Sequence, residues 1–294
     1  MKKVIVIVGP TASGKTSLSI EIAKRFNGEV ISADSRQVYK GLDIGSGKVT
    51  PEEMDGVPHH LLDVVDPSSV YTAEDFKHDA TTAITDITKR GNLPVIAGGT
   101  FFYIDILLGR ISTPQVPPNP ELREVLEEKS TEELFSMLAE KDPRRAGEID
   151  RDNKVRLVRA LEIIDVLGVV PEEKKENLYD VRTIGIDISK EELHQNIHTR
   201  LFERMEDGMI EEVRNLHAGG VTYKRLESLG LEYRYIAQYL QRKLSKEEML
   251  EMLETEIRRF AKRQMTWLKR DTSIKWYKKD DESIFVEVEK FLKS

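Results

Sequence analysis

Residues 1–16 read MKKVIVIVGPTASGKT, and the second half, Gly9-Pro10-Thr11-Ala12-Ser13-Gly14-Lys15-Thr16, is a complete G-x-x-x-x-G-K-T phosphate loop. The run before it, Val4-Ile5-Val6-Ile7-Val8, is β-branched and about one strand long, which predicts a buried parallel strand. Gly9 and Gly14 let the backbone curl so that successive N–H groups point inward, and a helix opening at Lys15 adds its positive end to the same place. Such a nest suits a diphosphate. Lys15 is a movable charge for the outer phosphate, and the Thr16 hydroxyl is placed to ligate Mg²⁺. The motif specifies phosphate without specifying the compound.

Outward from the loop, Leu18, Ile22, Ala23 and Phe26 recur at helical spacing until Asn27-Gly28 stops the helix. Glu29-Val30-Ile31-Ser32-Ala33 predicts a second strand that delivers Asp34-Ser35-Arg36-Gln37 at its C-terminal end, where doubly wound sheets place their chemistry. Residues 41–48 are too glycine-rich for a regular element, and residues 59–65 are expected to form a third strand. Thr72 and Asp75 form a capping box ahead of Phe76, Ala80, Ala83 and Ile87 at helical spacing. Pro94-Val95-Ile96-Ala97 is a further buried strand ending in Gly98-Gly99-Thr100. Pro114, Pro117, Pro118 and Pro120 then make a stiff connection into a charged, helical stretch with no convincing strand. Strand character returns at 183–188, and long helices are expected at 190–217 and 246–270. The fold class is therefore α/β: a P-loop core with a parallel sheet flanked by helices, residues 1–112 and 183–294, interrupted by a helical insertion at 113–182.

At 294 residues the chain is long enough for one large or two modest domains. It has no cysteine, which excludes disulfides, thiolate zinc sites and cysteine nucleophiles and favours the cytoplasm. No stretch is apolar and long enough to span a bilayer. The net charge of −7 argues against nucleic acid, but the charge is segregated. Arg144, Arg145, Arg151, Lys154, Arg156 and Arg159 form one basic cluster, and Arg258, Arg259, Lys262, Arg263, Lys269 and Arg270 a second. Each is equally well a solvated helix face or a polyanion contact. His59-His60, near Asp63, are expected to be structural because adjacent strand residues point to opposite faces, and His194/His198 because no third ligand stands at useful spacing. Trp267 and Tyr233, Tyr235 and Tyr239 read as packing residues.

Several stretches together resemble one family, the tRNA dimethylallyltransferases, of bacterial type. They are Gly9 to Thr16, residues 31–39 (ISADSRQVY), Asp43-Ile44-Gly45, Pro58-His59-His60-Leu61, Gly98-Gly99-Thr100, Arg159-Ala160-Leu161-Glu162 and residues 261–267 (AKRQMTW). The resemblance implies transfer of a dimethylallyl group from its diphosphate to N6 of the adenosine at tRNA position 37, just 3′ of the anticodon. It also implies a P-loop core with a helical insertion that binds the tRNA anticodon stem-loop, Mg²⁺ as cofactor, and a monomer. The chain departs from the family in three places. Ser46-Gly47-Lys48 stands where Thr-Ala-Lys is usual, Val155 stands where Gln is usual, and Leu229-Gly230-Leu231-Glu232-Tyr233 stands where I-G-Y-K-E is common.

Displacement at an allylic carbon needs leaving-group stabilisation and a proton acceptor for the attacking amine. The N–H groups of the loop, Lys15, Thr16 and Mg²⁺ meet the first need. Asp34 is the expected base, with a turn cap or an outer-sphere Mg²⁺ contact as its other readings; N6 becomes acidic only as the C–N bond forms, so a plain carboxylate suffices. The adenine must leave its stack to be reached. By similarity Ser35, Arg36 and Gln37 line its pocket and Thr100 bridges substrate and core, although a glycine turn capped by Thr100 reads equally well. Arg200 is expected on the far side of the diphosphate. Arg123, Arg156 and Arg159, beside Val155, are expected to hold RNA phosphates. Two other readings compete: a small-molecule kinase with ATP in the nest, and an RNA-binding module without turnover.

Overall fold

Alternation of side chains along the first strand builds the molecule. In β1 (Lys3–Val8), Val4, Val6 and Val8 enter one apolar core while Ile5 and Ile7 enter the other, so the strand is covered on both faces. The computed structural model describes residues 1–114, 116–172 and 176–294. It divides into two compact units, Met1–Leu108 with Asn177–Ser294, and Gly109–Glu176.

In the first unit β1 leads to α1 (Lys15–Arg25), β2 (Gly28–Ser32), α2 (Pro51–Met54), β3 (His59–His60), α3 (Ala73–Lys89), β4 (Leu93–Ala97) and α4 (Phe101–Leu107). The second unit carries α5 (Pro120–Glu127), α6 (Thr131–Lys141), α7 (Pro143–Glu148) and α8 (Lys154–Leu167). The chain then returns through β5 (Asp180–Ile186), α9 (Lys190–Glu206), α10 (Met209–Ala218), α11 (Tyr223–Ser228), α12 (Leu231–Leu240), α13 (Lys246–Leu268), β6 (Lys275–Tyr277) and α14 (Ser283–Lys293). The six strands are all parallel, in the order β3-β2-β4-β1-β5-β6. One face is packed by α3, α4 and the helices from α9 to α13, the other by α1 and α14.

Local chemistry explains most boundaries. The Thr72 hydroxyl accepts the Asp75 N–H and Asp75 accepts back from Thr72, closing the expected capping box of α3. The expected third strand shrinks to His59–His60 because Leu61 and Asp63 take φ of 64° and 54°, which no ladder tolerates. The expected helix at 190–217 is two helices, α9 and α10, broken at Gly208 with φ 99°. β5 begins at Asp180, three residues ahead of the expected strand, because Asp180 already pairs with Lys3. β6 and α14 were not expected; α14 buries Ile284, Phe285, Val288 and Phe291 against the α1 face. Among the histidines, His60 Nε2 meets Glu29 at 2.6 Å and His198 Nδ1 meets Glu254 at 3.2 Å. Glu29 also receives Arg90 and Asn92, and is buried. No helix of the described residues is long and apolar enough to cross a membrane.

The second unit packs Leu126, Leu134, Leu138, Leu157, Leu161 and Ile164 together. One carboxylate sits inside it. Glu162, 1% exposed, accepts Arg123 Nε and Nη2 at 2.7 and 2.9 Å, the Asn119 N–H at 2.9 Å and Arg159 Nη1 at 3.3 Å. The unit's ends meet, Glu176 N–H donating to the Gly109 carbonyl at 2.9 Å.

Candidate active site

Parallel strands of one sheet deliver their C-terminal loops to one edge, and three such loops line a cavity of about 640 Å³. The phosphate loop follows β1, Asp34 to Gln37 follow β2, and Gly98-Gly99-Thr100 follow β4. Their approach is close. Thr100 N–H donates to the Ala33 carbonyl at 3.1 Å, and a methyl group on Gly98 would overlap that carbonyl, so only glycine fits there.

The phosphate loop has the geometry of an anion nest. Gly14, at φ 92°, caps α1 and, lacking a side chain, makes no side-chain cap hydrogen bond to the helix's first N–H groups. The Ser13 hydroxyl is buried and has no hydrogen-bond partner among the described residues. Lys15 Nζ donates to the carbonyls of Gly9 and Pro10 at 3.0 and 2.7 Å. Burial, reinforced by the nearby Arg200 charge and opposed by Asp34, lowers Lys15 to about 7. Thr16 is exposed beside the cavity, its carbonyl accepting from Ser19. Gly9, Pro10, Thr11 and Ala12 complete the turn, and two distant side chains pin it. Gln264 of α13, 4% exposed, accepts the Thr11 N–H at 2.8 Å and donates to the Gly99 carbonyl at 3.0 Å. Asn196 of α9 donates to the Ala12 carbonyl at 3.1 Å.

The β2 loop is ordered by its own side chains. Asp34 Oδ1 accepts the Arg36 N–H at 2.8 Å and the Gln37 N–H at 3.4 Å, an Asx turn that leaves Oδ2 outside it. Thr100 Oγ1 accepts the Ser35 N–H at 3.0 Å and donates to Ser35 Oγ at 3.2 Å. The Gln37 amide is engaged at both ends, accepting from Ser32 Oγ at 2.8 Å and donating to the Gly47 carbonyl at 3.1 Å. Arg36 and Arg200 line the same cavity. Burial and the facing Arg204 lower Arg200 to about 10.

The remaining expected residues belong to the helical unit. Arg123 and Arg159 are bound to Glu162, and Arg159 also donates to the Val116 carbonyl at 2.7 Å. Arg156 and Val155 are exposed, Val155 at 79%, and the Arg156 guanidinium has no ion pair among the described residues. Of the basic run on α13, Arg258 and Arg259 pair with Glu254 and Glu256. Trp267 is a packing residue whose Nε1 donates to Asp105 at 2.9 Å. Sequence reasoning missed Gln264, Asn196, Arg204 and Glu232 as parts of the cavity. Asn196 and Arg200, four apart on one helix, carried a signal in their spacing.

Residues 37–271 match the family model described as IPP transferase. The chain belongs to the IPP transferase family. This IPP transferase family member is 45% identical over 272 residues to tRNA dimethylallyltransferase 2 of Treponema denticola, covering 90% of this chain and 91% of that one. In three dimensions it is similar to the full-length tRNA isopentenylpyrophosphate transferase of Bacillus halodurans, with a TM-score of 0.75 and 36% identity over 100% of this chain and 96% of that one. It is also similar to a eukaryotic dimethylallyltransferase captured acting on tRNA, with a TM-score of 0.78 and 30% identity over 91% of this chain and 70% of that one.

Proposed function

We propose that this family member transfers a dimethylallyl group from dimethylallyl diphosphate to N6 of the adenosine at position 37 of tRNA. The observation that carries the reading is the Asp34 carboxylate and the Lys15 phosphate nest lining one cavity, with Thr100 bonded to the Asp34 loop. The diphosphate lies on the N–H groups of residues 12–16, and the amine attacks from the Asp34 side. The C–O bond to the diphosphate breaks, its electron pair leaving with the diphosphate oxygen. The C–N bond forms, and the N6 proton passes to Asp34 Oδ2, since Oδ1 is occupied by the turn. The exposed Thr16 hydroxyl and the Ser13 hydroxyl, unpartnered among the described residues, fit a magnesium diphosphate. Thr16, with the diphosphate, would hold Mg²⁺, which would neutralise charge on the leaving group. Arg200 flanks the same anion.

Gln37 serves the acceptor by fixing the pocket wall, its amide spanning Ser32 and Gly47, while Ser35 and Arg36 remain for the base. In the helical unit Arg156 leads the contact with RNA phosphates, and Arg123 and Arg159 present only the outer edges of guanidiniums already held by Glu162. A monomer working in the cytoplasm suits these substrates. The relatives are named for prenyl transfer, which removes the support for a kinase.

The deciding experiment is incubation of purified protein with unmodified tRNA, Mg²⁺ and dimethylallyl diphosphate, followed by mass analysis of the nucleosides. A dimethylallyl adduct on adenosine is expected. Asp34→Asn should lower the single-turnover rate by about 10²–10⁴ with tRNA affinity unchanged. A folded protein that forms no adduct with any tRNA refutes the reading, and an unchanged rate in Asp34→Asn refutes the base.

A further inference from the structure

Two arginines, not one, face the cavity from α9. Arg200 and Arg204 are one helical turn apart and both line it. Their heads come together over the backbone of Gly47, whose φ is 60°. A methyl group built there would overlap the Arg204 guanidinium and stand 3.0 Å from Arg200 Nη2. The platform beneath them is rigid. Glu212 accepts the N–H groups of Asp43, Ile44 and Gly45 and the Tyr233 hydroxyl, and Gln37 donates to the Gly47 carbonyl. Arg204 is largely buried at 18% side-chain exposure, and its carboxylate partner, Glu232, stands at the limit of an ion pair, 3.9 Å from Nη1.

With Lys15, three basic side chains therefore line one cavity, where like charges repel more strongly than they would in water. Asp34 acts on Lys15, and Glu232, Glu53 and Glu203 act on Arg200, but among the described residues the one ion pair to Arg204 is the 3.9 Å contact with Glu232. A multiply charged anion suits the three together. A methyl group at 47 would crowd Arg204, and a cation in place of Glu232 would oppose it.

We propose that Arg204 is a further ligand of the leaving diphosphate, acting with Lys15 and Arg200, and that Gly47 provides its space and Glu232 its counter-ion in the free protein. The inference rests on the diphosphate reading of the cavity given above. As the allylic C–O bond breaks, its electron pair stays on the diphosphate, and the added charge grows on the group that Arg204 faces, so its hold strengthens along the reaction. Arg204 exchanges its long contact to Glu232 for charge-assisted hydrogen bonds to phosphate oxygens.

The test is calorimetric titration of the full chain with inorganic diphosphate and Mg²⁺, alongside dimethylallyl transfer kinetics and tRNA affinity. Arg204→Ala should weaken inorganic diphosphate binding about tenfold or more, and Arg204→Lys should recover part of the loss. Gly47→Ala should imitate Arg204→Ala, the double variant should be no worse than either alone, and Glu232→Gln should bind diphosphate more tightly. The tRNA affinity should not move in any of them. Diphosphate binding unchanged in Arg204→Ala but lost in Lys15→Ala overturns the role of Arg204 and leaves the nest intact. Additive losses in the double variant overturn the coupling to Gly47. Failure of the unaltered protein to bind diphosphate overturns the reading of the cavity, and this inference with it.

Discussion

Lys15 is a side chain that the proposed diphosphate would change. In the free protein it bonds two carbonyls of its own loop, and burial with Arg200 nearby holds it at about 7. An incoming diphosphate favours the charged amine and raises that value. Between the two values the free protein lacks a proton that the complex carries, so binding near pH 8 takes one up. Diphosphate affinity should therefore fall as pH rises above 7, and the binding heat at pH 8 should depend on the buffer. The Lys15→Met variant, which lacks the titrating amine, should lose that component of the profile; identical pH profiles for the two proteins would refute the coupling. Lys15, Asp34 and Thr100 were legible in the sequence because each sits in a short loop directly after a strand, where local pattern decides position. Gln264 and Arg204 were not, since they reach the loops from helices far along the chain, and Gln264 stood in plain view at residues 261–267 without a partner to give it meaning. Arg123 and Arg159 show the converse. The family resemblance suggested phosphate contacts for them, and the fold adds a partner the sequence does not show, the buried Glu162 that holds them.

At the scale of elements, the ends of β2 and β4 control the site's dimensions. Ala33 N–H donates to the Ala97 carbonyl at 2.8 Å and Thr100 N–H donates to the Ala33 carbonyl at 3.1 Å, with Gly98 between them. A Cβ at Gly98 would strike the Ala33 carbonyl, which is backbone and cannot rotate aside. Gly98→Ala must therefore pry the two strand ends apart, separating Asp34 from Thr100. A loss of about 1–3 kcal/mol is expected, read as a lower denaturant midpoint, together with a fall in kcat. Unchanged stability would mean that the strand ends give more readily than their hydrogen bonds suggest. The strands and the long helices were legible because burial on two faces leaves unbroken β-branched runs and because apolar residues at helical spacing have few alternatives. What escaped were backbone decisions with no composition signature, namely the left-handed Leu61 and Asp63 that end β3 and the break at Gly208 between α9 and α10. β6, at three residues, is too short for any pattern to announce.

For the whole molecule, Glu29, on the sheet's second strand, is one source of acid sensitivity. The Arg90 hydrogen bonds, helped by Asn92 and His60 and opposed by burial, lower Glu29 from 4.5 to about 2. Its folded value lies below its unfolded one, so its contribution is complete above pH 4.5 and is lost as the pH falls from there to 2. That contribution is on the order of 2 kcal/mol. Glu29→Gln should lower the melting temperature at pH 7 and flatten the acid limb of the stability curve; parallel acid limbs in both proteins would assign the effect elsewhere. The joined ends of the helical unit have a different kind of consequence. Because the Glu176 N–H meets the Gly109 carbonyl, the helical unit begins and ends at one point of the chain. A change of length between those two residues therefore need not disturb the register of β1 against β5.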